Sequence, residues 1–152
     1  MKALLRDDAH ERVEKFQRLV EEFSAFAEAE GIEVVPYKGE GPSHFRALPE
    51  ALQQSTLHHF EAYVEAAREV RAQGESLHND QLFLWRIFKK LRAHAPNDFL
   101  GQLAEGEVIE IHNSEFVQIY RNLHFFSLCS YTLDDLLCRP FWELYERDES
   151  ID

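Results

Sequence analysis

The 152-residue sequence contains only two cysteines. Cys129 and Cys138 stand nine positions apart in apolar text, without CxxC spacing and without histidines placed as a zinc site needs. They read as reduced thiols in the core or at its boundary, which suits a cytoplasmic protein. Long hydrophobic runs are missing, and none approaches the roughly 20 residues of a membrane span. The opening MKALLRDDAHERVEK lacks the apolar stretch of a secretory signal. Catalytic signatures are missing as well. Neither GxSxG, GxGxxG nor a phosphate-cradling GKT or GKS occurs. Gly39 and Gly41 flank only a glutamate, with no strand–turn–helix context. There is no HExxH. His58 and His59 are adjacent, so on a helix they point about 100° apart and cannot chelate one ion. His10, His44, His78, His94, His112 and His124 are scattered, and Ser43-His44 is a loop dipeptide without a visible third partner. The sequence therefore predicts no metal, no cofactor and no enzymatic role.

Positive charge is scarce too. Sixteen basic residues face 28 acidic ones, for a net charge of −12. A field of that sign repels phosphate backbones and anionic lipid, so neither nucleic acid nor membrane is an expected partner. Glu21, Glu22, Glu28 and Glu30, on the polar face of a helix, are expected to be solvated. Arg86, Lys89, Lys90 and Arg92 lie in a stretch with no acid. They form a candidate docking surface for an acidic protein, or a plain solvated helix face.

What the sequence has in quantity is apolar and aromatic residues, 45% and 12%, with twelve phenylalanines. That supports a packed interior. Residues 3–30 read as one amphipathic helix with Leu5, Val13, Phe16, Leu19, Val20, Phe23 and Phe26 on a stripe, stopped by Gly31. The stripe suits core packing or a homodimer. Residues 32–37 have strand-like composition, but Pro36 limits them to an edge or an extended connector. The following KGEGPSHFRALP reads as a loop. Helices are predicted over 49–73, with Pro49 in the first turn, over 79–95, and over 97–104 with Asn97 or Asp98 as cap. The 79–95 helix has apolar residues on more than one stripe and is expected to be the most buried. After Gly106 the period changes. EVIEIHN and FVQIYRN, linked at Ser114-Glu115, read as a hairpin, and short helices follow. The fold class is mainly α with a small β element (α+β): a helical domain over 1–106, then a distinct segment over 107–152.

Within that segment Asn122 follows the second strand, and Phe125 and Leu128 hold apolar helical positions. Tyr131 precedes Thr132-Leu133-Asp134-Asp135-Leu136-Leu137, and Arg139 to Leu144 runs RPFWEL, with Asp148 and Glu149 beyond. This resembles the opening half of a PAS sensory domain, in which an asparagine follows the second strand and a Gly-Tyr pair leads into Ser-x-Glu-Glu-Leu-Leu. Ser130 and Cys138 stand where the family has glycine. The family's further long helix and three more strands have no counterpart before Asp152. The resemblance implies a non-catalytic sensory or regulatory module of a bacterial-type signalling protein, working through a protein partner or as a homodimer. It also implies a pocket between sheet and short helices, lined here by Ile119, Asn122, Phe126, Leu128 and Trp142, or a plain core at those positions. Two other readings remain open: a purely helical interaction module with a structural C-terminal segment, and a haem or small-ligand sensor. The family's haem ligand lies in the helix this sequence lacks.

Overall fold

The computed structural model describes residues 2–94, 98–104 and 106–144. The elements run α1 (Lys2–Ala29), α2 (Ser43–Ala47), α3 (Glu50–Ala72), α4 (Asp80–Leu91), a 3-10 turn (Leu100–Gln102), β1 (Glu110–His112), β2 (Gln118–Arg121), α5 (Leu123–Ser127), α6 (Leu133–Cys138) and α7 (Phe141–Leu144). The chain is mainly α with one two-stranded antiparallel sheet, as the periodicities predict. No helix among the described residues is long and apolar enough to cross a membrane.

The stripe of α1 is spent on the core. Phe16, Leu19, Val20 and Phe23 of that stripe are buried in the core together with Ala27, and Val13 and Phe26 are half-buried against it. Phe16 stacks on Phe45 of α2 at 4.3 Å, and Phe23 meets Tyr63 edge-on at 5.1 Å. The most buried helix is α3, not α4 as its composition suggested. Three small residues, Ala62, Ala66 and Ala67, let neighbours approach α3 from several sides, and it touches α1, α4 and β2. Only Phe83, Leu84 and Ile87 of α4 are buried, and Trp85 is exposed. The core is continuous across residue 106. Tyr120 of β2 packs on Tyr63 and Phe83, and the Tyr63 hydroxyl donates to the Arg121 carbonyl at 2.7 Å.

Several local expectations are corrected. The loop around residues 38–49 contains α2, whose first amides are capped from a distance. His44 N–H and Phe45 N–H donate to the Asp134 carboxylate at 2.8 and 3.0 Å. A cap supplied 90 positions away leaves no local signal. Helix α4 ends at Leu91 rather than at 95, because Arg92 takes the left-handed conformation (φ 53°) that usually falls to glycine there. The predicted 97–104 helix is only the 3-10 turn. Asp98, at φ 63°, is not in the extended conformation of a cap, and Asn97 lies outside the described residues, as does Pro96. The hairpin link is not Ser114-Glu115 alone. Phe116 N–H donates to the Asn113 carbonyl at 3.0 Å and Asn113 N–H to Val117 at 2.9 Å, so Phe116 is part of the turn. Residues 32–37 are the extended connector expected. Their carbonyls at Val35 and Pro36 accept from Leu133 and Asp134, the first amides of α6.

Glu30, expected to be solvated, is a clamp. Its carboxylate accepts from Arg71 at 2.9 Å, Ser76 at 2.8 Å and the Leu77 amide at 3.1 Å, fastening the end of α1 to the α3–α4 turn. Burial alone would raise its pKa. The Leu77 amide, the Ser76 hydroxyl and Arg71 outweigh that and hold it below the ordinary 4.5. The unfolded chain therefore binds the proton more readily, so this contribution is present above pH 4.5 and is lost as the pH falls through the lower, folded value. Replacing Glu30 by Gln should cost about 1–2 kcal/mol at pH 7. Urea melts at stepped pH should show the gap between Glu30→Gln and the parent closing in that acidic window.

Candidate functional site

Asn122 is the structural centre of the hairpin–helix segment. It is 1% exposed, and its amide makes four hydrogen bonds. Oδ1 accepts from Ile109 N–H at 3.1 Å and from Phe125 N–H at 3.2 Å. Nδ2 donates to the Glu107 carbonyl at 2.6 Å and to Asp80 Oδ2 at 3.3 Å. That is the full capacity of a carboxamide. One side chain thus caps α5, holds the approach to β1 against the end of β2, and reaches α4. Tyr120 completes the joint by donating to Asp80 Oδ1 at 2.7 Å. Its burial raises the phenol pKa well above the ordinary value, helped by Tyr63 and Asp80, so the hydroxyl keeps its proton.

The residues expected to line a ligand pocket do not converge on one cavity. Asn122 borders a cleft of about 560 Å³ with His78, Asp80 and His124, but its own polar atoms are engaged. Phe126 packs on Phe23 of α1 at 5.5 Å, inside the main core. Ile119 is half-buried, while Leu128 and Trp142 face outward with 69% and 52% of their surface exposed. The reason is topological: the N-terminal helices cover the inner face of the sheet, where Tyr120 sits. On β2, Arg121 is fully buried. It pairs with Glu110 at 3.0 Å, bonds Gln118, and lies over the Phe125 ring at 4.3 Å. His112 meets the same Glu110 oxygen at 3.3 Å. Burial depresses its pKa, and Arg121 adds to that against the pull of Glu110.

The expected basic surface is divided. Lys90 pairs with Glu69 at 3.0 Å and Glu65 at 3.7 Å, and Arg86 pairs with Glu69 at 3.7 Å. Lys89 lies over the exposed Trp85 ring at 4.2 Å, and Arg92 is the helix terminus. The acids missing from the local sequence are supplied by α3.

Sequence reasoning missed a second cleft, of about 860 Å³, between the extended segment at Val35–Lys38, α2 and the α6–α7 corner. Thr132 caps α6 in a reciprocal box with Asp135, as a threonine before an acidic first turn favours. Asp135 does more than cap. Its Oδ1 also receives His44 Nε2 at 3.1 Å and Arg139 at 3.3 Å, while Thr132 supplies Oδ2 with its amide and hydroxyl at 3.2 and 3.0 Å. Burial would raise this carboxyl's pKa, but the two Thr132 donors, Arg139 and His44 together hold it below the ordinary value. His44 thus has the partner its local sequence did not reveal. No hydroxyl or thiol is hydrogen-bonded to its ring among the described residues. Cys129 and Cys138 are free, and burial raises both thiols, Cys138 far more. No cluster that could hold a metal ion occurs among the described residues.

Comparison with protein-family models, with curated proteins and with solved structures returns no match in any of the three. The PAS resemblance therefore rests on Asn122–Leu144 alone, and its Asp148 and Glu149 lie outside the described residues.

Replacing Asn122 by Ala removes the partner of the buried Ile109 amide and of the Glu107 carbonyl, while Phe125 N–H keeps the Asn122 main-chain carbonyl, a loss of about 2 kcal/mol at roughly 1 kcal/mol for each group. Asn122→Asp keeps the acceptors but turns a carboxylate toward Asp80 and the Glu107 carbonyl. Urea denaturation at pH 7 should therefore find it at least as destabilised.

Proposed function

We propose that this protein is a non-catalytic regulatory module, in which a PAS-type hairpin–helix segment is mounted on a helical body and works by binding a protein partner. The observation that carries the reading is at Phe116 and Trp142. The two rings meet edge-to-face at 5.4 Å and leave 54% and 52% of their surfaces exposed. Phe116 does so in a left-handed conformation, φ 65°, at a turn position where glycine is the unstrained choice. Placing a bulky residue there costs about 1–2 kcal/mol. The edge-to-face contact returns about 0.5–1.5 kcal/mol. Fold stability thus gains little from the phenylalanine, while exposed aromatic rings are the usual anchors of protein interfaces.

The order hairpin, Asn-capped helix, Thr-capped helix supports the signalling context. The free thiols suit a reducing, cytoplasmic setting. With Phe16, Leu19, Val20 and Phe23 inside the core, a separate protein fits better than a homodimer built on those residues of α1.

Phe116→Gly should leave the melting temperature within a few degrees of the parent, since the two energies nearly cancel. It should abolish capture of the partner from an extract of the source cells, as should Trp142→Ala. Unchanged capture by both variants, or unfolding of Phe116→Gly, would count against this surface.

A further inference from the structure

We propose that the cleft between Val35–Lys38 and the α6–α7 corner binds a small organic monocarboxylate with an apolar body. The inference does not rest on the partner-binding surface, which lies at Phe116 and Trp142. Four separated stretches of chain build the cleft: the extended connector, α2, the Ser130–Thr132 turn, and α6 with α7. At about 860 Å³ it has room for a small molecule.

Its polar groups are unevenly committed. Both oxygens of Asp135 are saturated, by His44 and Arg139 on one and by Thr132 on the other. Glu143 is tied to Arg139 at 3.6 Å. Donors remain. Lys38 forms no ion pair among the described residues, and the Ser130 hydroxyl is exposed. An ammonium that no carboxylate contacts selects a ligand that accepts hydrogen bonds. Lys38 is the one cationic group lining the cleft that no carboxylate contacts there, so it fits one negative charge. A phosphate dianion would meet the same ammonium but would be repelled by Asp135 and Glu143, whose charges Arg139 already shares. The partly exposed side chains of Val35 and Tyr131, at 48% and 37%, supply apolar surface for the ligand's body. In a chain of net charge −12 a carboxylate has no general attraction to the surface, so its binding requires a local site.

Sodium benzoate is the probe, followed by two-dimensional NMR of the full chain. A ligand of this size is expected to bind at roughly millimolar Kd. Saturable shifts should appear at Val35–Lys38, His44 and Ser130–Asp135, with Phe116 and Trp142 unmoved. Lys38→Met, which removes one unit charge, should weaken binding several-fold, and Lys38→Glu, a change of two unit charges, roughly tenfold or more. The Lys38 side chain is exposed, so both variants should keep the parent melting temperature. Acetate should bind much more weakly, and inorganic phosphate should not displace benzoate. The proposal is overturned if the shifts fail to saturate, if they map elsewhere, if Lys38→Glu binds benzoate as the parent does, or if phosphate competes.

Discussion

Everything in the C-terminal third depends on one carboxamide. Asn122 satisfies the entry to β1, the first turn of α5 and the start of α4 at once. An isolated two-stranded hairpin is marginal in water and needs to pack on something else. Here it packs on α3 and α4 through Tyr120, and Asn122 sets its orientation there. The amide is neutral and uses every donor and acceptor it has, so its burial leaves nothing unsatisfied.

The same device recurs with charged groups. Asp134 caps α2, Asp135 caps α6 and holds His44, and Glu30 holds the α3–α4 turn. In each case a carboxylate receives backbone amides from another element or from its own helix start, where charge-assisted bonds are strong, and at the starts of α2 and α6 the helix dipole also favours the anion. Arg121 is the positive counterpart, buried with Glu110 and Gln118. Part of the acidic excess therefore works inside the fold rather than on its surface. Breaking one of these contacts leaves a buried charge without compensation, which costs more than the contact itself contributes.

The helices were legible because their stripes obey a 3.6-residue period, and α1 and α3 came out within two residues of their ends. The hairpin was legible from its alternation, and the Thr132 cap from its residue type, whereas the Asn122 cap emerged only in the fold. What stayed hidden depends on distant partners. Helix α2 exists because Asp134 caps it from far along the chain, and the basic surface is divided by glutamates of α3. Glu30 looked like any polar-face acid until Leu77 and Ser76 came to it. The cleft was invisible for the same reason: Lys38, His44, Ser130 and Arg139 become neighbours only in the folded chain. The residues offered as pocket or core divide because the N-terminal helices cover the sheet face at Tyr120: Phe126 joins the core, while Leu128 and Trp142 face outward.

The central claim is that the hairpin–helix segment and the helical body form one cooperative structure joined at Asn122. Native-state hydrogen exchange tests it most directly. The amides of Ile109 and Phe125, which donate to the Asn122 side chain, should exchange through the same global opening as Val64 and Ala67 in α3. Exchange of Ile109 and Phe125 through a separate opening, several kcal/mol easier than that of α3, would contradict the account.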